Sequence, residues 1–202
     1  HALTKECGGN VDDKGEVSVT ALKVINSYPA KLTVDLDSIS SGLITNCEKN
    51  SWLMYDFKNR KVRPTHYSIR SWAWSPNCHH LKDWVIEGSN TGGNDWKVLD
   101  SQNNVTCLNS ISVFSTFKIK ENLSSDEYYR FLRLRQTGKN FAGNDQLCLN
   151  SLEYFGSIIW SLFSISSNKD LYSKYIYIFF IILLYRKGDL YSIEYFLFII
   201  NH

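Results

Sequence analysis

The chain has 202 residues, enough for one domain of about 150 residues with a sizeable core and some additional sequence. Its formal net charge is +2 and 21% of its residues are charged, so composition gives no indication of a nucleic-acid partner or of binding to a strongly acidic surface. The five cysteines are an odd number without metal-site spacing, which indicates free thiols and a reducing compartment rather than a complete disulfide framework.

The first 16 residues are polar and rich in glycine, asparagine and aspartate, and they predict a lead-in linker. Because the chain begins with His1 and not with methionine, we expect either a longer protein or a signal sequence upstream. Short stretches in which apolar and polar residues alternate then follow at spacings of about ten residues. These stretches predict strands at 17–22, 32–37, 52–57 and 65–70.

The segment 81–99 predicts a β-hairpin. Trp84 and Ile86 are two residues apart and face one side of an extended strand, and a cluster of glycine, asparagine and aspartate residues supplies the turn. Trp96 then opens a second apolar run. Further strands are predicted at 113–120, 129–135 and 147–155.

No helical periodicity precedes residue 156, and no internal repeat is visible. Many short strands joined by turn clusters therefore predict an all-β fold, either an antiparallel sandwich or a barrel.

Several stretches of the chain occur in the order known from one family of extracellular and intracellular binding modules. They are S-W-L-M-Y-D-F from Ser51, H-L-K-D-W-V-I-E-G-S-N from His80, Y-R-F-L-R-L-R-Q from Tyr129 and S-L-E-Y-F-G from Ser151. Residues 17–156 thereby resemble the discoidin domain, or coagulation factor 5/8 type C domain, of the galactose-binding-like group. The resemblance implies an antiparallel jelly-roll β-sandwich without catalytic residues. It is strongest to intracellular protozoan versions attached to BTB-type adaptors, which implies a cytoplasmic protein.

The resemblance also implies a ligand site built from three loops at one end of the sandwich, at 23–28, 46–50 and 72–78. Trp72 and Trp74 are the leading candidates, because an aromatic face stacks on the apolar face of a sugar ring or inserts into a headgroup layer. They are two residues apart, so both point the same way only where the loop is extended; otherwise one packs onto the core. Further candidates for ligand contacts are Tyr28, Asp37, Asn50, Arg70 and His79.

Metal and catalytic sites have little support in the sequence. Cys78, His79 and His80 are of the residue types that bind zinc, but adjacent residues in one loop rarely complete a tetrahedron, so we predict no metal and no cofactor. No nucleophile elbow or phosphate-binding glycine loop is visible, so we predict no enzyme. A disulfide of the kind that the family uses would require Cys7 and Cys148, the alternative to free thiols.

The last segment, 157–202, changes abruptly to isoleucine, leucine, phenylalanine and tyrosine. One interpretation is a membrane-associating segment, although the charge-free run 175–185 is shorter than the about 20 residues of a spanning helix. The other is translated non-coding or frame-shifted sequence, which the bias toward residues with A- and T-rich codons favours.

We therefore expect a non-catalytic module that binds a carbohydrate, a phospholipid headgroup or a protein partner, and no nucleic acid. Two alternatives remain open: an accessory binding domain of a larger enzyme such as a glycoside hydrolase, and a structural protein anchored in a membrane by its tail. We expect a cytoplasmic location, with membrane association if the tail is genuine.

Overall fold

The computed structural model describes residues 2–39 and 41–161. This part of the chain contains a short helix α1 (Ala2–Cys7), a 3-10 helix (Ala30–Val34) and ten β-strands. The strands are β1 (Ser18–Ala21), β2 (Leu43–Cys47), β3 (Trp52–Asp56), β4 (Arg60–Arg70), β5 (Trp84–Ser89), β6 (Lys97–Gln102), β7 (Phe114–Lys118), β8 (Phe131–Gln136), β9 (Gln146–Leu149) and β10 (Ser151–Trp160).

The strands form three antiparallel sheets. The largest has the order β1-β3-β8-β5-β6, the second has the order β10-β4-β7, and β2 pairs with β9. Alternation along the strands explains which side chains form the core: in β3, Leu53 and Tyr55 are buried while Trp52, Met54 and Asp56 are half-exposed. The predicted all-β antiparallel jelly-roll sandwich is confirmed.

A buried hydrogen-bond chain joins the two larger sheets. The indole nitrogen of Trp84 in β5 donates to the hydroxyl oxygen of Tyr67 in β4 at 2.9 Å. That hydroxyl in turn donates to Oδ2 of Asp100 in β6 at 2.6 Å. The ring of Phe117 in β7 stacks on Tyr67 and meets the edge of Trp84. The Trp84 indole and the Tyr67 hydroxyl, one from each layer, therefore satisfy each other inside the core, which favours one position of the sheets.

A second buried polar cluster lies on strand β5, where Glu87 is only 4% exposed. Its carboxylate accepts hydrogen bonds from Arg133 at 2.8 Å and from Arg135 at 2.7 Å. Burial alone would raise the pKa of Glu87, but these two guanidinium groups outweigh it and hold the pKa below its ordinary value of 4.5. The arginine-rich face of β8 thus neutralises an acid of the neighbouring strand.

The predicted N-terminal linker is partly packed against the sandwich. Val11 is buried in the core, and Leu3 and Cys7 pack against it. The polar side chains of this segment stabilise local turns. Oδ1 of Asn10, for example, accepts a hydrogen bond from the backbone nitrogen of Asp12 at 2.9 Å.

Strand β10 continues past the predicted end of the domain at residue 156. A register irregularity separates Phe155 from Gly156, after which pairing with β4 resumes and reaches Trp160 opposite Arg60. Gly156 has φ +155°, and a Cβ there would lie 2.0 Å from the carbonyl oxygen of Arg63. The packed unit therefore extends beyond 17–156 at both ends.

The prediction of a strand at 32–37 was wrong. Residues 30–34 form the 3-10 helix, in which the hydroxyl of Thr33 donates to the carbonyl of Ala30 at 2.7 Å. Strand β2, in contrast, lies inside the predicted loop 38–50. Local sequence does not predict this strand, because it forms by pairing with distant residues, with Leu43 opposite Leu149.

Residues 162–202 lie outside the described part of the chain. The membrane-associating and the non-coding interpretations of the tail both concern mainly these residues and stay predictions. Within 2–39 and 41–161, no helix is long and apolar enough to cross a membrane.

The inter-sheet hydrogen bonds predict different effects for two buried hydroxyls. Tyr67→Phe leaves the Trp84 indole without an acceptor and should lower the free energy of unfolding by about 1–3 kcal/mol. Tyr154→Phe is the matched control, because the Tyr154 hydroxyl is buried and makes no hydrogen bond. It should leave stability unchanged or raise it in urea denaturation, and equal losses in both variants would contradict this assignment.

The Glu87 cluster predicts a pH dependence. A carboxylate whose pKa is lowered by folding contributes stability above its ordinary pKa of 4.5, and this stability is lost as the pH falls through the folded value. Glu87→Gln should therefore destabilise the protein at neutral pH and flatten the decline of its melting temperature below pH 4.5. Glu121→Gln, at an exposed position, should leave that decline in place. A decline unchanged by Glu87→Gln would refute the role of the cluster.

Candidate functional site

The three loops that were predicted to form a binding end do meet one another. The backbone nitrogen of Asn46 donates to the carbonyl of Lys23 at 2.8 Å, and the Lys23 ammonium pairs with Glu48 at 2.6 Å. The rings of Tyr28 and Trp72 then join the first loop to the third, with centroids 5.4 Å apart. The loop 137–145 is a fourth member, since the backbone nitrogen of Asp145 lies 3.3 Å from Sγ of Cys47.

Four rings follow one another across this end of the sandwich. Tyr28 meets Trp72 edge-on, Trp72 lies 5.4 Å from Trp74 between centroids, and Trp74 lies 5.2 Å from His79. Such centroid distances are typical of attractive aromatic pairs. The structure thereby brings together four of the seven sequence-predicted site residues in one row, which we call the aromatic row.

The two tryptophans of the row differ in burial. Trp72 is 6% exposed and packs against Ile44 and Cys148, whereas Trp74 is half-buried at the margin of the same cluster. Gly42 makes room for Trp72, because a Cβ at that position would lie 2.7 Å from its Cζ3 atom. Trp72 therefore supports the row from below, and Trp74 is the more accessible of the two indoles.

The loop that carries Trp74 is held by His80, which is fully buried. Its Nε2 lies 3.0 Å from the carbonyl oxygens of both Trp74 and Ser75, and since carbonyls only accept, Nε2 carries the proton and donates. The hydroxyl of Ser71 donates to the carbonyl of Ser110 at 2.6 Å at the start of the loop. The backbone at Trp74 is thus held by a buried side chain.

His79 is oriented by Asn144, a residue that sequence reasoning missed. Oδ1 of Asn144 accepts from the side chain of Asn140 at 2.6 Å and from the backbone of Gln146 at 3.1 Å. Both its amide nitrogen, at 3.1 Å, and its Oδ1, at 3.3 Å, lie within hydrogen-bond distance of Nδ1 of His79. Because Oδ1 already accepts two bonds, we assign the amide nitrogen as the donor to Nδ1, an assignment that leaves Nε2 as the donor of the ring. The Gly- and Asn-rich composition of this loop predicts a turn but not its contact with His79.

The other three predicted residues lie outside the aromatic row. Arg70 donates from Nη1 to the carbonyl of Leu36 at 3.0 Å, and its guanidinium lies 5.7 Å from the Phe114 ring centroid. Asp37 is exposed close to that carbonyl. Asn50 is exposed with a positive φ of 57°, and its Oδ1 accepts from Arg135 at 3.2 Å. Asn50 therefore belongs to the neighbourhood of the Glu87 cluster.

The cysteines are all free thiols, so the alternative pairing of Cys7 with Cys148 is absent from the structure. Burial under the aromatic row raises the pKa of Cys148 to about 12, which keeps its thiol protonated. Among the described residues, no group of three or more histidine, cysteine, aspartate or glutamate side chains is placed to hold a metal ion.

Comparison with known proteins identifies the architecture. No family model matches the chain. The module CpGH89CBM32-5 from Clostridium perfringens, solved with GalNAc-β-1,3-galactose, covers 70% of this chain and 96% of its own length, at 14% identity and a TM-score of 0.54. CBM32-3 from a family 31 glycoside hydrolase of Clostridium perfringens covers 71% of this chain and 92% of its own length, at 10% identity and a TM-score of 0.55.

An F-lectin from the serum of Morone saxatilis, the striped bass, covers 72% of this chain and 46% of its own length, at 12% identity and a TM-score of 0.55. The E3 ubiquitin-protein ligase Ufd4 of Drosophila melanogaster is 27% identical over 124 residues, which are 61% of this chain. The chain spans only 4% of that relative's length. The chain therefore has the galactose-binding-like fold of family 32 carbohydrate-binding modules and F-lectins, as the sequence resemblance implied.

The burial difference within the aromatic row predicts different stabilities for two variants. Trp72→Ala removes a buried indole and should lower the free energy of unfolding by about 3–5 kcal/mol. Trp74→Ala removes a half-buried ring and should cost about 1 kcal/mol. Urea denaturation of both variants measures the difference. A larger loss of stability for Trp74→Ala would contradict the assignment of Trp72 as the buried support of the row.

Proposed function

We propose that this galactose-binding-like domain is a non-catalytic carbohydrate-binding module that stacks a sugar ring on Trp74. The observation that carries the proposal is the half-exposed Trp74 ring, which is supported from below by the buried Trp72 and held by His80. An aromatic face that is fixed in this way meets the apolar C–H face of a pyranose without a further loss of side-chain entropy.

Polar groups beside Trp74 would orient the sugar. With the Asn144 amide donating to Nδ1 of His79, the Nε2–H group is a hydrogen-bond donor at the end of the aromatic row, and the contact with Asn144 sets its direction. This donor would favour sugars that carry a hydroxyl at the ring position next to it. One stacking surface with few hydrogen bonds predicts weak binding, of about millimolar dissociation constant for a single sugar. Multivalent presentation would raise the apparent affinity.

The structural neighbours support this class of function. CpGH89CBM32-5 was solved with a galactose-containing disaccharide, and other neighbours were solved with galactose, with Lewis b and with an unsaturated mannuronic acid. These ligands differ from one another and the identities are low, so the proposal names the carbohydrate class and not one sugar. The module CBM32-3, which belongs to a glycoside hydrolase, supports the alternative of an accessory domain in a larger enzyme.

A second candidate function is recognition of a protein partner by the same loops. The similarity to Ufd4 favours it, because a 27% identity over 124 residues exceeds the identity to each sugar-binding neighbour named above. In this case the chain would act as a recognition segment of a longer protein. Attachment to a BTB-type adaptor, a cytoplasmic location and phospholipid binding stay predictions of the sequence.

Binding of the full chain to a glycan array tests the proposal. Wild-type protein should bind a set of terminal sugars, and Trp74→Ala should reduce that binding about five- to tenfold, because stacking of one sugar on an aromatic ring is worth about 1–1.5 kcal/mol. Trp160→Ala is the matched control, since Trp160 is the most exposed tryptophan among the described residues, at 64%, and lies at the end of β10.

The controls separate a local site from general stickiness. Equal losses in Trp74→Ala and Trp160→Ala would contradict a site at the aromatic row. Absence of binding to any glycan, together with capture of a protein partner that Trp74→Ala abolishes, would establish the second candidate function instead.

A further inference from the structure

A cavity in the described part of the chain lies against helix α1, and none of its lining residues belongs to the aromatic row. Its volume is about 400 Å³, and its wall includes Leu3 and Glu6 of α1. A second cavity of about 250 Å³ shares Thr4, Val34 and Leu36 with the first. We call the two together the α1 cavity. Sites for small organic ligands commonly begin at about 300 Å³.

The wall of the first cavity is mainly apolar. Val34, Phe57, Val62 and Leu152 contribute side chains from four different elements or their ends. Water gains few hydrogen bonds at such a surface, so an apolar body would displace it favourably. The chemistry of this cavity therefore differs from that of the sugar-binding end, where the ligand would lie on an open ring face.

The charged side chains of the wall are all acidic. Glu6, Asp35, Asp37 and Glu153 line one or the other cavity, and no lysine, arginine or histidine is among the lining residues. Glu6 is ion-paired with Arg60 at 3.2 Å. Asp35 and Asp37 are exposed in the wall of the second cavity. Arg70 donates to the carbonyl of Leu36, which lies between these two aspartates, at 3.0 Å. Two carboxylates beside one guanidinium leave a net negative charge at this opening, which favours a cation.

A buried polar atom in the same wall lacks a partner. The hydroxyl of Tyr154 makes no hydrogen bond to any described residue, although the atom itself is buried. Burial raises the pKa of Tyr154 well above its ordinary value, so the phenol stays neutral. The Tyr154 ring meets Tyr55 edge-on and lies 6.5 Å from Tyr67 between centroids. Tyr154 therefore gives the cavity ring surface, and its hydroxyl stays in the core.

We propose that the α1 cavity binds an apolar amine, with the hydrocarbon or aromatic body in the larger cavity and the ammonium group near Asp35 and Asp37. This site is independent of the proposed sugar site. It also gives Asp37 a different role from the one that the sequence suggested, because Asp37 forms part of this wall.

Displacement of a fluorescent probe from the full chain tests the proposal. The neutral apolar probe N-phenyl-1-naphthylamine would be bound first and then displaced, at neutral pH, by dodecylammonium or by dodecanoate, both below their micellar concentrations. These two ligands have the same chain length and opposite charge. Dodecylammonium should displace the probe at a concentration about tenfold lower than dodecanoate does.

Two pairs of variants locate the site. Leu36→Trp fills the junction of the two cavities and should weaken probe binding about tenfold, whereas Val98→Trp, on the exposed part of β6, should leave it unchanged. Asp35→Asn combined with Asp37→Asn should remove the preference for dodecylammonium. Glu121→Gln combined with Asp126→Asn, which removes two exposed carboxylates elsewhere, should retain it.

Equal displacement by the two ligands in wild-type protein would overturn the proposal. So would probe binding that a folded Leu36→Trp variant leaves unchanged, because the probe would then be bound elsewhere, including at residues 162–202. If Leu36→Trp does not fold, the variant with Asp35→Asn and Asp37→Asn decides between the outcomes. Loss of its preference for dodecylammonium supports the site, and retention of that preference refutes it. None of these results depends on glycan binding.

Discussion

The hydrogen-bond chain from Trp84 through Tyr67 to Asp100 is the constraint on which the rest of the domain depends. It crosses between the two larger sheets, and each of its groups is buried, so an alternative packing of the layers would leave polar atoms unpaired. Apolar contacts alone permit small slides of one sheet over the other. With these two sheets fixed, the end of β4, and therefore the start of the loop that carries Trp72, occupies a defined position.

The end of the sandwich that carries the aromatic row uses this frame to hold its rings in place. Trp72 is buried against residues from β2 and β9, His80 holds the backbone under Trp74, and Asn144 orients His79. The Trp72 contacts join its loop to two strands, the His80 bonds close the same loop on itself, and the Asn144 contact joins it to the loop 137–145. A site that is ordered before binding keeps more of its interaction energy for the ligand. This matters most for sugars, which offer only small apolar faces.

Local sequence was sufficient for the elements that local chemistry determines. The hairpin predicted at 81–99 appears as β5 and β6, because alternating aromatic and aliphatic residues flank a cluster of turn-forming residues. The strand predicted at 32–37 failed because Pro29 and Thr33 favour a tight helical turn that periodicity does not reveal. Strand β2 was missed because its partner is about a hundred residues away.

The site was only partly predictable for the same reason. The tryptophan pair was identifiable from composition and from the family resemblance, but which of the two is buried depends on Gly42, Ile44 and Cys148. The α1 cavity was not predicted, because the polar composition of the N-terminal residues is typical of a linker. Their packing depends on Val11, which lies in the core. Non-local contacts of this kind leave no periodic pattern in the sequence.

The most direct test of a sugar site on Trp74 is an NMR titration of the full chain, with the six tryptophan indole N–H signals as reporters. Addition of a sugar identified on the array should shift the Trp74 signal most, the Trp72 signal less, and the signals of Trp84 and Trp160 very little. Saturable shifts confined to Trp74 and Trp72 would support the account. A saturable shift of Trp160 or Trp96 with Trp74 unchanged would contradict it.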